Sequence, residues 1–400
     1  MFRIAIKMLR GDRAKYIGLV LGIAFTAFLG AFAASYACGI ATRGFALISE
    51  NPSIDVWVMD PTVVSAEQPI AIPDWALDRV RGVEGVRWAV PMCVAGADLR
   101  FPDGRFQPVQ IIGVDNATLT GLPAVEGAGS ADLLRVPDAA MVAPGGTEGK
   151  LQTPVRPEDQ WPATMPARFR ADIPTRELNA GDEVLINDHR VRIVGRAAAL
   201  PRFPPRPLVY TTYPNALRIL PPEPHRLTFV LVSAKPGVDH RALAERIADA
   251  TGLAARSSSD FEMDTVKWFL TTSEDVGDMT AMLAIAVLVG LGSTGVLLLM
   301  FTRDNLRYYA LLAAMGTTPR WLVAMVFAQV GMSALVGIGI GLGACALAGK
   351  LAGSLNFPFR MLWFTPLAGA LLVIVTSLIG ALLSLGPLFK VEIATVFAGR

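Results

Sequence analysis

Residues 303–322 read RDNLRYYALLAAMGTTPRWL and lie between two stretches without a single charged residue. The segment holds three arginines, one aspartate, a glycine, and a proline behind two threonines. It spells a short basic helix, a break and a new helix, inserted between segments whose composition belongs in hydrocarbon. What flanks it therefore decides the fold.

Four uncharged runs occur, residues 16–42, 279–302, 321–349 and 361–389, holding 27, 24, 29 and 29 residues. About 20 residues rising 1.5 Å each cross a hydrocarbon core of about 30 Å. Buried helices of soluble proteins are rarely so long and so free of charge. The whole chain is 52% hydrophobic and 18% charged, with mean hydropathy +0.46, where soluble domains average about 25% charged. The fold class is a membrane α-helical protein with four transmembrane helices, arranged one plus three. A net charge of +2 gives no argument for nucleic acid.

The first run resembles a secretory signal, with Arg3, Lys7 and Arg10 before it and Ala31-Phe32-Ala33 as a cleavage-like site. A signal's apolar region spans only about 7–15 residues, so the longer run reads as a retained anchor. Basic residues set the orientation. Arg3, Lys7, Arg10, Arg13 and Lys15 precede the first span, Arg303, Arg307 and Arg320 separate the second and third, and Lys390 and Arg400 follow the fourth. Lys350 and Arg360 alone lie between the third and fourth. The positive-inside rule places both termini and residues 303–320 in the cytoplasm. The expected division is 1–15 cytoplasmic, 16–42 helix 1, 43–278 extracytoplasmic, 279–302 helix 2, 303–320 coupling helix and corner, 321–349 helix 3, 361–389 helix 4 and 390–400 cytoplasmic tail.

The outer segment, 236 residues long, is large enough for a mixed α/β domain. Asp74 reads as the N-cap of a helix over 74–81, and residues 86–100 and 105–114 as strands joined at the Asp103-Gly104 turn. Residues 183–186 and 190–194 flank a second hairpin at 187–189. A strand over 227–233 precedes a helix capped by Asp239 and running to residue 250. Proline-rich residues 201–207 and 221–224 read as rigid connectors. Residues 259–278 read as a charged helix, either a stalk running directly into the second span or a surface helix at the headgroups, the latter disfavoured by its acidic residues.

Catalytic chemistry is not written in this chain. Cys38 and Cys345 lie in spans, leaving Cys93 alone outside, and His189, His225 and His240 have no metal-ligand spacing. Residues 144–151, PGGTEGKL, have the outline of a phosphate loop, but proline replaces the first glycine and leucine the hydroxyl residue after the lysine. They read as a glycine-rich turn. No ionisable residue occurs inside the four runs, which argues against a proton relay or an ion pathway. Gly18 and Gly22 in the first span and Gly337, Gly339, Gly341 and Gly343 in the third form small-xxx-small pairs suited to bundle packing or a dimer seam.

Within the opening stretch, residues 303–315 hold helix formers with no breaker. Gly316 suits a left-handed residue ending that helix, Thr318 an N-cap, and Pro319 the first residue of the next helix. The run Ala314-Met315-Gly316-Thr317-Thr318-Pro319-Arg320 resembles the cytoplasmic helix of the FtsX/MacB-type permease family of ABC transporters. Tyr309-Ala310 with Leu312 is closer to its DevC-like branch. Residues 4–10 before Leu21-Gly22-Ile23, residues 51–61 and residues 112–115 are similar to further parts of that family. Tyr308 stands where members usually have glutamate, Ala313 where a basic residue is common, and the usual acidic-proline pair is replaced around Glu392-Ile393.

The resemblance implies a non-catalytic permease subunit, homodimeric in the lipid bilayer of the bacterial inner membrane. It implies an ABC ATPase subunit that binds ATP and Mg, and movement of the outer domain by mechanotransmission. Arg303, Asp304, Arg307, Tyr308, Gly316, Thr318, Pro319 and Arg320 form the expected ATPase-contacting region. For the DevC-like branch it implies a periplasmic adaptor (membrane fusion) protein and a TolC-type outer-membrane channel. The expected role is export of a lipid, glycolipid, peptide or other hydrophobic compound. The alternatives are a signalling subunit that activates an envelope enzyme, and a lipoprotein-extracting permease.

Overall fold

The computed structural model describes residues 13–127, 129–156, 174–223, 225–272 and 275–386. The segment before Arg13, expected in the cytoplasm, the tail around Glu392-Ile393 and the last residues of the fourth uncharged run lie outside the described residues. The chain divides into two units, one of residues 1–40 with 273–400 and one of residues 41–272.

Helix α1 (Arg13–Gly44) and a single turn, α2 (Ala46–Ser49), lead into the outer unit. There follow β1 (Val56–Met59), α3 (Trp75–Arg81), β2 (Val86–Arg100), β3 (Phe106–Val114), β4 (Ala139–Ala143), β5 (Gln152–Pro154) and β6 (Thr175–Glu177). Next come β7 (Glu183–Ile186), β8 (His189–Arg196), β9 (Leu208–Thr212), α4 (Tyr213–Ile219), β10 (Phe229–Ala234), α5 (His240–Thr251), β11 (Ala254–Ser257) and α6 (Ser258–Thr272).

The sheet runs β11-β1-β10-β2-β3-β9-β4-β8-β7, and β7 also pairs with β2. Strands β2, β3, β9, β4, β8 and β7 thus close on themselves, while β11, β1 and β10 continue from β2 as an antiparallel extension. The 15 residues of β2 make this possible. Its first half pairs with β10, from Met92↔Phe229 to Val86↔Ala234, and its second half with β3, from Cys93↔Gly113 to Arg100↔Phe106. Residues 89–94 are accordingly buried on both faces. Inside the closed part lie Leu99, Val109, Ile111, Val142, Ile193 and Val209. Helices α3 and α5 cover the extension, packing Val80, Leu243 and Ile247 on Val56, Val58 and Val230. Trp57 meets the edge of Phe229 at 5.5 Å and packs with Phe261 of α6.

Local chemistry explains the hairpins. Asn187 and Asp188 both have positive φ, 48° and 64°, as a two-residue turn matching strand twist requires, and Ile186 pairs with His189. Asp239 caps α5 by accepting from the Ala242 N–H, and Gly252 ends it in the left-handed region. Asp74 makes no side-chain capping bond, so α3 forms without the expected cap. The segment expected as a helix over 259–278 is helical to Thr272 and again from Asp275, and residues 273 and 274 lie outside the described residues.

The other unit holds four helices long and apolar enough to cross a membrane: α1, α7 (Asp275–Asp304), α9 (Pro319–Ser354) and α10 (Thr365–Ser384). Between α7 and α9 sits α8 (Leu306–Ala314). Several buried hydroxyls in these helices donate to carbonyls of the same helix, as Thr26 to Gly22 at 2.9 Å and Thr376 to Leu372 at 2.9 Å, which satisfies them in an apolar surrounding, whereas those of Thr294 and Ser377 have no partner.

Candidate coupling site

The connection between α7 and α9 is built residue by residue. Helix α7 carries Arg303 and Asp304 in its last turn and stops at Asn305. The Asn305 amide donates to the Phe301 carbonyl at 2.8 Å, competing there with the helix ladder. The Asn305 carbonyl then accepts the N–H groups of Tyr308 and Tyr309, at 2.9 and 3.2 Å, and starts α8. The single helix expected over 303–315 is therefore two, and Arg303 and Asp304 belong to the spanning helix. Asp304 forms an ion pair with Lys15 of α1.

At the other end Gly316 has φ +91°, and the Thr317 N–H donates to the Leu312 carbonyl at 3.1 Å, the long closure of a Schellman turn. Pro319 is the first residue of α9, where a missing N–H costs nothing. Thr318 is extended as a cap residue should be, with ψ 151°, but its side chain makes no capping bond. Its carbonyl instead accepts the Trp321 N–H at 3.0 Å.

Helix α8 has two unlike faces. Tyr309, Ala310 and Leu312 are buried, and Tyr309 and Leu312 pack in a cluster with Leu298, Leu322 and Met325. The Tyr309 hydroxyl donates to Gln329 Oε1 at 3.1 Å, a buried bond from α8 to α9. On the outer face Arg307, Tyr308, Leu311 and Met315 are exposed, as are Arg303, Arg320 and Trp321 nearby. The result is a mixed apolar and basic surface on a short helix anchored at both ends. Sequence reading named the charged residues but missed Leu311, Met315 and the Tyr309–Gln329 bond. The helical period that separates residues 309 and 312 from 308, 311 and 315 was the available signal.

The candidate packing glycines divide. A Cβ on Gly22 would lie 2.5 Å from Ser293 Oγ, on Gly337 2.5 Å from Ile23 Cγ2, and on Gly341 2.3 Å from the Ala24 carbonyl oxygen. Gly18 has looser contact, 3.6 Å from Leu297. Gly339 and Gly343 have nothing within 4 Å, so they take no part in packing this bundle. Helix α9 thus crosses α1 on its Gly337–Gly341 face.

Residues 280–393, which include α8 and its two corners, match the model of the FtsX-like permease C-terminal domain. These residues form an FtsX-like permease C-terminal domain. Two solved structures are similar to the permease. One is the periplasmic region of MacB from Actinobacillus actinomycetemcomitans, at 11% identity and TM-score 0.35 over 54% of this chain and 94% of that one. The other is the extracellular domain of the noncanonic ABC-type transporter YknZ from Gram-positive bacteria, at 12% identity and TM-score 0.31 over 51% and 98%. No curated protein sequence matches the permease significantly.

Among the permease's described residues, no three His, Cys, Asp or Glu side chains come together as metal ligands. Cys93 is buried on β2, and burial pushes its thiol up to about 12, which leaves it inert. The glycine-rich segment 144–149 is a turn, with positive φ at Gly145, Gly146 and Gly149.

One feature of the outer unit has no signature in the sequence. Arg202, inside the proline-rich stretch, is fully buried and bonds Glu50 Oε2 at 2.6 Å. Its partner's side chain is 5% exposed. Tyr210 completes the group, accepting from Arg202 and donating to Glu50, both at 3.2 Å. Beside it Arg206 Nη2 lies 3.1 Å from Glu67 Oε2, an ion pair without hydrogen-bond geometry. Burial pushes the Glu67 carboxyl up to about 7, against the pull of Arg206 and Arg202 and with a further push from Glu50.

The sign of the pH effect follows. The folded protein holds the Glu67 proton more firmly than the unfolded chain, whose value is 4.5. The stabilisation is full below about pH 4.5 and lost as pH rises through about 7. Glu67→Gln keeps the neutral shape at every pH. It should match wild type near pH 4.5 and exceed it at pH 8 by on the order of 2–3 kcal/mol. Thermal unfolding of both proteins at the two pH values measures this. A wild type that is more stable at pH 8 than its variant would reverse the reading.

Proposed function

We propose that this permease is the membrane subunit of an ABC-type exporter, with α8 in the cytoplasm as the lever on which a separate ATPase acts. The observation that carries the proposal is the two-faced construction of α8. Its inner face is fastened to the spans by Tyr309, Leu312 and the bond to Gln329. Its outer face presents Arg307, Tyr308, Leu311 and Met315 to solvent, without a fold-internal reason for that apolar surface. A short helix held between a left-handed corner and a proline start transmits a push rather than absorbing it.

In this reading ATP-driven closure of the partner displaces α8 in each copy of a homodimer, and the spans carry that displacement to the outer unit by mechanotransmission. The absence of Asp, Glu, Lys, Arg and His within the uncharged runs agrees with cargo that is not conducted between the spans. The outer unit, with a nine-stranded sheet and its own cores, is large enough to engage a periplasmic adaptor.

The test separates docking from transmission. Arg307→Glu with Leu311→Asp should reduce co-purification of the ATPase at least tenfold. Pro319→Gly frees the corner without touching that surface, so it should retain the ATPase and its hydrolysis while export falls. A double docking variant that holds the ATPase as firmly as wild type would remove α8 from the interface.

A further inference from the structure

Two loops of the outer unit that look unrelated in sequence meet at one place. The strap, residues 200–207, lies against the glycine turn 144–149: the Arg202 N–H donates to the Gly145 carbonyl at 3.1 Å. A Cβ on Gly145 would fall 1.9 Å from the Arg206 carbonyl oxygen, so only glycine permits the approach. Both loops then contact the segment by which the chain comes into the unit. Arg202 bonds Glu50, and Gly146 sits 3.7 Å, measured from its virtual Cβ, from the Arg43 guanidinium.

The same strap reaches the helix by which the chain leaves. Phe203 stacks edge-on with Phe269 of α6 at 5.4 Å. Phe269 in turn packs on Gly44, at 3.0 Å from its virtual Cβ, and Ser49 Oγ donates to Glu262 Oε1 at 3.2 Å. The incoming segment and the outgoing helix are thus joined directly and a second time through the strap. The strap's guanidinium is withdrawn from water to do so.

We infer that residues 144–149 and 200–207 form a collar that locks the incoming segment 41–50 and the outgoing helix α6 into one rigid body, with Arg202 and Phe203 as its positioning residues. Burial opposes the Arg202 charge, while Tyr210, Glu50 and Glu67 outweigh it and hold the proton in place. A prolines-flanked strap has little conformational freedom to lose, so its grip is not traded against loop entropy. The use of such a body, carrying motion into the outer unit without shear, rests on the exporter reading above. Its existence does not.

The experiment places spin labels at Ser53 and Lys267, both exposed, in the full chain with Cys38, Cys93 and Cys345 replaced by alanine. Doubly labelled chain is diluted into unlabelled chain so that only the pair within one chain is read, and distances are measured by pulsed electron resonance with the ATPase present, with and without ATP. Wild type should give one narrow distance distribution, the same in both states. Arg202→Met with Glu50→Gln removes both charges yet keeps an acceptor for the Leu200 N–H, which donates to Glu50 Oε1. That variant should at least double the width of the distribution, and Phe203→Ala should broaden it without disturbing any buried charge. Distributions that stay narrow in Phe203→Ala and in the double variant would overturn the collar. So would a wild-type distance that changes with ATP. Because the readout needs no transport, failure of the exporter proposal would leave these results standing.

Discussion

Gly341→Leu is expected to prevent the four spanning helices from packing, and Gly341→Ala to lower stability by about 1–3 kcal/mol. The added Cβ would lie 2.3 Å from the Ala24 carbonyl oxygen and 2.7 Å from Ala27 Cβ. Neither is the far end of a flexible side chain, so α1 and α9 must separate, and contacts along the whole crossing weaken. Without a hydrophobic drive between helices in lipid, close packing is much of what holds a bundle together. Gly339→Ala and Gly343→Ala are the controls, since nothing lies within 4 Å of either and alanine favours the helix. Unfolding of the detergent-solubilised protein compares the four variants. An equal loss at Gly339 would show that this face is covered in the assembled permease.

Arg202→Met should be the most damaging single change in the outer unit, at about 3–5 kcal/mol. It strands the Glu50 carboxylate, 5% exposed, and takes away the Arg202 donor to the Tyr210 hydroxyl. A loss of that size approaches the whole stability of a domain, commonly 5–15 kcal/mol. Adding Glu50→Gln removes the stranded charge and should recover most of the loss, because a buried ion pair contributes little net stability beyond what neutral packing supplies. Denaturant unfolding of wild type, both single variants and the double variant forms the cycle. If the double variant proves as unstable as Arg202→Met, the ion pair itself, rather than the uncompensated charge, carries the stability.

These two sites show opposite relations between sequence and structure. The glycine pairs of the third span were visible as a pattern, but the pattern could not say which pair is used. Gly337 and Gly341 lie on one face of α9 and Gly339 and Gly343 on another, and only the position of α1 distinguishes them. The helix 303–315 was misread in a similar way. Every residue there favours a helix, and no residue's propensity marks the break at Asn305, whose side-chain amide and backbone N–H both donate to the Phe301 carbonyl.

Sequence alone determined the four apolar helices, the corner at Gly316 and Pro319, the strand over Val86–Arg100 and a hairpin within 183–194, whose turn the structure narrows from 187–189 to Asn187 and Asp188. Each of these rests on interactions within a few residues: hydrocarbon length, positive φ, a missing N–H, or the alternation of a single strand. Strands β4 and β9 escaped because Ala139–Ala143 and Leu208–Thr212 are buried throughout, so no polar face marks their period. The closure of the sheet through β7 and β2 and the burial of Arg202 were decided by tertiary structure. Their partners are far apart in the chain, Arg202 lying 152 residues from Glu50. An arginine among prolines reads as a solvated loop until folding brings a carboxylate to meet it.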